Sequence, residues 1–147
     1  MKEKNMGEFK FNSQVCTSIE QSERLLALGL KKETADMRYY ALYLSSVDKW
    51  YNKEYPEVLY DGERINNHDI PAWSLHRLIE MMPNNIGMGE ECYITQVVLC
   101  KRIFAYMDFG SIEYMFGEKD NSYDNAINCI EWLIKEGYFN KEYLCEK

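Results

Sequence analysis

Tyr93-Ile94-Thr95-Gln96-Val97-Val98-Leu99-Cys100-Lys101-Arg102-Ile103-Phe104-Ala105-Tyr106-Met107-Asp108-Phe109-Gly110-Ser111-Ile112-Glu113-Tyr114-Met115-Phe116 is the stretch on which the fold turns. It is dense in β-branched and aromatic residues, which suit a pleated, half-buried surface. Lys101-Arg102 and Gly110-Ser111 divide it into three runs. The pattern predicts strands at about Tyr93–Leu99, Ile103–Phe109 and Ile112–Phe116, joined as an antiparallel meander. A competing helical reading exists, because Tyr93, Val97, Cys100, Phe104 and Met107 also fall on one helical stripe.

Downstream, Ala126, Ile127, Ile130, Leu133 and Ile134 recur at helical spacing, so a helix is predicted from about Ser122 to Glu136. Gly137 follows as a left-handed C-cap. Tyr138, Phe139, Tyr143 and Leu144 then form a short apolar tail suited to packing back. Upstream, Asn84 to Gly89 reads as a loop. Leu75, Leu78, Ile79 and Met82 mark another helix, with Pro71 at its start or Ser74 as a later cap, ended by Pro83.

Further upstream, Val58-Leu59-Tyr60, Asp61-Gly62 and Glu63-Arg64-Ile65 read as strand, turn and strand, a small hairpin. Ser45 to Tyr55 reads as a polar stretch with embedded Trp50, Tyr51 and Tyr55. Tyr39 to Leu44 reads as a strand, and Lys31 to Met37 as a polar connection. Ser18-Ile19-Glu20-Gln21 has the form of a capping box, and Leu25, Leu26 and Leu28 give the following helix its apolar side. That helix runs from about Ile19 to Leu28, with Gly29 as its C-cap. Met1 to Gln14 is a polar lead, in which Phe9 and Phe11 alternate as in a short edge strand; a frayed terminus is the other reading. Together these elements give one α+β domain over residues 1–147. A small antiparallel sheet, the C-terminal meander with an N-terminal hairpin, is packed by about three helices.

The 147 residues carry 17 Lys+Arg against 24 Asp+Glu, a formal charge of −7. That balance argues against binding nucleic acid through bulk positive charge, which needs basic groups to displace counterions. From Ser74 onward the charge is −5, and before it −2, so the acidity concentrates in the meander and last helix. No apolar run approaches the roughly 18–20 residues that span a bilayer. Met1 to Ser18 is charged and lacks the apolar core of a secretory signal. The five cysteines (Cys16, Cys92, Cys100, Cys129 and Cys145) include no C-x-x-C pair, and the two histidines, His68 and His76, are eight apart. Neither a disulfide scaffold nor a zinc site is expected. The expectation is a cytoplasmic protein with reduced thiols and neither cofactor, metal nor membrane attachment.

Two blocks carry a resemblance. One is Thr17-Ser18-Ile19-Glu20-Gln21-Ser22, continuing through Leu25-Leu26-Ala27-Leu28-Gly29-Leu30 to Thr34-Ala35-Asp36-Met37. The other is Ile70-Pro71-Ala72-Trp73-Ser74-Leu75, ending in Met82-Pro83. With Asn125-Ala126, Trp132-Leu133 and Gly137-Tyr138 in the last helix, they resemble uncharacterised small proteins of bacterial genomes, prophages and mobile elements. The resemblance implies a cytoplasmic protein of bacterial or phage-like origin and no catalytic residue.

Catalytic chemistry has weak support in the sequence. Cys16 lies just before a helix N-terminus, where a thiolate is stabilised, and His68 or His76 is a candidate base. No recognised nucleophile signature surrounds it. Glu90-Glu91 and Asp120 with Asp124 are carboxylate pairs of a kind expected on any acidic surface. Gly87-Met88-Gly89 precedes a strand and so lacks the strand-to-helix context of a phosphate loop. No catalytic residue is assigned.

Interaction has more. Asp69, Trp73, His76 and Arg77 cluster where a loop enters a helix, and Trp and Arg dominate binding hot spots. The competing reading makes Trp73 a core plug. Tyr39, Tyr40, Tyr43, Tyr51, Tyr55 and Tyr60 crowd one region, which predicts an exposed aromatic patch led by Tyr39 and Tyr43; the alternative is a minicore under a loop. The sequence thus points to a non-enzymatic interaction or accessory protein with a protein partner, and oligomerisation is compatible with it. The alternatives are a small enzyme with a dispersed active site and an acidic mimic of nucleic acid. The first requires a deep pocket with perturbed ionisable groups. The second requires carboxylates clustered on one face.

Overall fold

The computed structural model describes residues 13–87, 93–99, 102–108 and 111–147. The N-terminal lead up to residue 12, Met88-Gly89, Glu90-Glu91, Lys101 and Gly110 lie outside the described residues, as do Cys92 and Cys100.

The meander forms as strands, and the helical reading of the same stretch is excluded. β7 (Tyr93–Leu99), β8 (Ile103–Asp108) and β9 (Ser111–Phe116) are consecutive antiparallel neighbours, with Val97 opposite Ala105 and Ala105 opposite Met115. The register slips by one irregularity between Tyr106 and Met107. The predicted loop at Asn84 to Gly89 instead contains β6 (Asn85–Gly87), which adds a fourth strand to this sheet through Ile86 opposite Ile94. Its composition is unlike a strand. Its place is set by Ile86, which is buried in the core.

The helices follow their caps. α1 (Ile19–Ala27) begins on the Ser18 capping box: Ser18 Oγ accepts from Gln21 N–H, and Gln21 Oε1 accepts from Ser18 N–H. α2 (Leu75–Met81) starts at Ser74, so Pro71 is not its first residue. Pro71 sits instead in β5 (Ile70–Ala72), a strand that among the described residues is paired on one side only, where a missing N–H is tolerated. α3 (Ser122–Lys135) is capped by Asn121 and ends before Gly137, whose φ of +79° is the left-handed conformation that glycine accepts without strain.

The N-terminal strands differ from the expected hairpin. β1 (Met37–Tyr39) and β2 (Ala41–Leu44) are two halves of one extended run broken at Tyr40. β2 pairs with β3 (Lys49–Asn52), which lies within the stretch read as polar. β1 pairs with β4 (Glu57–Val58) on one side and β5 on the other. Asp61-Gly62 does turn the chain, since Gly62 has φ +83° and Glu63 N–H donates to Tyr60 O at 3.0 Å. However, Glu63-Arg64-Ile65 forms no strand. Val58 is already opposite Met37, so no ladder remains for the predicted return.

The main core lies between α3 and the four-stranded sheet. Ala126, Ile127, Cys129, Ile130 and Leu133 meet Phe104 and Tyr106 of β8, with Leu25, Leu30, Trp73, Leu78 and Met81 closing the other side. A smaller cluster of Cys16, Met37, Tyr39 and Ala72 lies beneath β1 and β5. The apolar tail packs back as expected. Phe139 is buried, Leu30 bridges Leu144, and Cys145 N–H donates to Gly29 O at 2.7 Å.

Candidate functional site

The two sequence blocks that carry the resemblance meet each other in space. Thr17 N–H donates to Trp73 O at 2.8 Å, and Trp73 N–H donates back to Thr17 Oγ1 at 3.1 Å. Trp73 Nε1 donates to Thr34 Oγ1 at 2.9 Å. Asp36 accepts from both the Ser74 backbone N–H and the Ser74 hydroxyl, fixing the residue that caps α2. Met37 lies opposite Ala72. Trp73 is wholly buried, so the surface role proposed for it is corrected: it plugs the core, with its one polar atom satisfied by Thr34.

Asp69 and Tyr39 are corrected in the same way. Asp69 is buried and joins two segments: Oδ1 accepts from Ala41 N–H at 2.9 Å, and Oδ2 from Asn66 N–H at 3.0 Å. It also faces Arg38 Nη1 at 3.4 Å. Arg38 is a hub. Its guanidinium lies 3.8 Å from Glu63 and 4.0 Å from Glu57, donates to Arg64 O, and sits over the Tyr40 ring. Nothing in the sequence marked Arg38, because its three carboxylate partners lie 19 or more residues away in the chain. Tyr39 is buried, and its hydroxyl donates to Thr17 O at 2.9 Å. His76 is exposed, and half-buried Arg77 pairs with Glu80 at 3.6 Å across one helical turn. The segment from Asp69 to Arg77 is therefore mostly a structural brace and not a continuous surface.

The aromatic patch lies on the β2–β3 ribbon. Leu42, Tyr43, Leu44, Val47, Trp50 and Tyr51 are each 44–51% exposed. Opposed residues share a face of an antiparallel pair. Tyr43 and Trp50 therefore lie on one face, while Leu42, Tyr51 and Leu44 lie on the other. Tyr43 and Trp50 are in tilted contact with ring centroids 5.3 Å apart, and His68 stacks on Trp50 at 4.0 Å. The tip is closed by Val47 N–H donating to Leu44 O, by a hydrogen bond from the Tyr43 hydroxyl to Asp48, and by Asp48 in the left-handed region at φ +50°. At the base, Asn52 Nδ2 donates to Tyr39 O and His68 O, and Lys53 N–H donates to Tyr40 O. The ribbon is thus held firmly at one end, with apolar side chains open on both faces.

Cys16 does not have the surroundings of a nucleophile. Its buried Sγ lies 3.7 Å from the Tyr39 hydroxyl. Burial pushes the thiol above its ordinary range, the Tyr39 hydrogen bond lowers it less, and the Asp36 charge raises it further. Burial also raises Tyr39, Tyr106 and Tyr123, and pushes Cys129 up to about 12. None of these groups lines the cleft of about 650 Å³ that lies between Lys32, Asp36, Arg77 and the loop from Leu59 to Ile65. The cleft and the perturbed groups therefore occupy different places. Among the described residues no three His, Cys, Asp or Glu side chains gather as a metal site, and no helix is long and apolar enough to cross a membrane.

No protein-family model, curated protein or solved structure matches this chain.

Proposed function

We propose that this chain is a non-enzymatic interaction protein that engages a protein partner through the β2–β3 ribbon. The observation that carries this reading is the open apolar ribbon itself. About half of each side chain is uncovered, and Leu42, Leu44 and Tyr51 together leave on the order of 250 Å² open on one face, a contiguous cluster and not apolar residues scattered singly. Trp and Tyr supply wide contact area with few rotors to order, which suits binding. The bracing by Asp69, Asn52 and the His68 stack supports the same reading, because a pre-positioned ribbon pays less ordering entropy on association. A bacterial or phage-like origin is supported by the resemblance of the two interlocked blocks. A cytoplasmic location is supported by the free thiols of Cys16, Cys129 and Cys145.

Site-specific photo-crosslinking in cells tests the reading. A photoreactive phenylalanine at Leu44 or Tyr51 is expected to yield a discrete protein adduct, while the same group at Lys135 on α3 yields none. Failure of both ribbon positions to capture any protein would refute it.

A further inference from the structure

We infer that the occupant of the ribbon is a second copy of this chain, joined edge to edge along β2 with Tyr43 on the twofold axis. The inference rests on the reading that the ribbon is the binding surface. It follows from where the backbone groups of β2 point. Lys53 N–H donates to Tyr40 O at 2.9 Å, so residues 40 and 53 are a hydrogen-bonded pair. Bonded and non-bonded pairs alternate along an antiparallel ladder. Leu42 with Tyr51 and Leu44 with Lys49 are then also bonded pairs, and Tyr43 turns its N–H and C=O outward. Ala41 N–H confirms the phase, since it too points out of the ladder, to Asp69 Oδ1. Among the described residues β2 pairs only with β3, so the Tyr43 edge is open.

That edge suits a copy of itself. Leu42-Tyr43-Leu44 is a palindrome. A twofold axis at Tyr43 sets Leu42 of each copy opposite Leu44 of the other, and the two Tyr43 residues exchange two backbone bonds. The result is a four-stranded β3–β2–β2–β3 sheet with Leu42, Leu44 and Tyr51 of both copies on one face. A twofold contact of this kind is self-complementary. Charge does not oppose this site. Each chain carries −7, yet Leu42 to Val47 holds no charged residue, so the copies meet without bringing carboxylates together. The β3 edge is less suited. Lys49 and Lys53 lie along it, and lysines on an edge oppose pairing. Asp69 closes the β2 edge at Ala41, so the new ladder is short and the dimer weak.

Sedimentation velocity of the full chain over a wide concentration range is the test. The chain is expected to show a concentration-dependent dimer. Y43P removes the outward N–H while sparing the ladder bonds of Leu42 and Leu44, and is expected to raise the dimer dissociation constant at least about tenfold. Y43A keeps the N–H and is expected to retain the dimer. A chain that is monomeric throughout overturns the inference, as does a dimer that survives Y43P or is lost equally in Y43A. A second variant guards against local misfolding by proline. Antiparallel bonded pairs set Cα atoms about 5.5 Å apart, within disulfide range. Y43C in a C145S background is therefore expected to give a disulfide dimer joining the two Y43C sites, while V47C at the tip gives none; equal linkage from both positions overturns the geometry. If the chain is monomeric and photo-crosslinking still captures a different protein at Leu44, this inference falls while the ribbon remains the binding surface.

Discussion

Trp73 shows how a residue's neighbours in sequence leave its role open. It is flanked by Ser74, His76 and Arg77, a setting that resembles a hot spot, yet its partners are Thr17 and Thr34, 56 and 39 residues away. Helical periodicity assigns faces only inside the helix, and Trp73 precedes the cap. Trp73→Ala is expected to cost about 3–5 kcal/mol, read as a lower urea midpoint at unchanged slope. Cys129 makes a second residue-level prediction. Its thiol is raised from 9.0 to about 12 by burial, so the unfolded chain loses this proton first. The stability it contributes is complete below pH 9 and is lost as pH rises towards 12. Tyr39, Tyr106 and Tyr123 are raised in the same direction. The urea midpoint is therefore expected to fall steadily above pH 9, and Cys129→Ala to flatten that fall. A midpoint independent of pH between 9 and 11 would contradict this.

Among the elements, the capped helices were the most legible and the short strands the least. α1 and α3 carry their own start and stop signals, Ser18 with Gln21 and Asn121 with Gly137, and these act within one turn. β3 and β6 carry almost none; β3 exists because β2 is beside it, and β6 because Ile86 is drawn into the core. Val58 illustrates the same dependence, since its pairing with β1 displaced a hairpin that the Asp61-Gly62 turn had suggested. Two predictions concern the ribbon. The triple variant L42S/L44S/Y51S removes only half-exposed side chains, so its stability is expected to stay within about 0.5 kcal/mol per site while partner capture is lost. Asp69→Ala removes the acceptor of Ala41 N–H and leaves Arg38 with one carboxylate fewer. Amide exchange in β2 and β3 is expected to quicken markedly with α3 unchanged. Equal exchange in the variant and the parent would show that the base does not depend on Asp69.

At the scale of the whole molecule, packing joins segments that lie far apart in the chain. Asn125 is wholly buried in α3; it accepts from Lys119 N–H and donates to Lys119 O and Arg102 O, tying the loop before α3 to the start of β8. Asn125→Leu is expected to lower stability by about 2–4 kcal/mol, because it strands backbone groups that the amide satisfied; a thermal midpoint equal to the parent's would disprove the bracing role. The aromatic excess between Tyr39 and Tyr60 was legible as a patch, but it divides in space. Tyr39 enters a core, while Tyr43, Trp50 and Tyr51 remain open. The −7 charge likewise acquires positions, with Glu57, Glu63 and Asp69 drawn around Arg38 and Glu131 paired with Arg24. The sequence by itself determined the three helices and the α+β class, because caps and apolar periodicity act over a few residues, while it left the meander open between strands and a helix. Only the tertiary structure decided that Trp73 and Asp69 are braces and that the ribbon is the open surface. Burial and edge pairing are set by contacts between segments tens of residues apart, and local pattern does not encode which of two apolar stretches wins the interior.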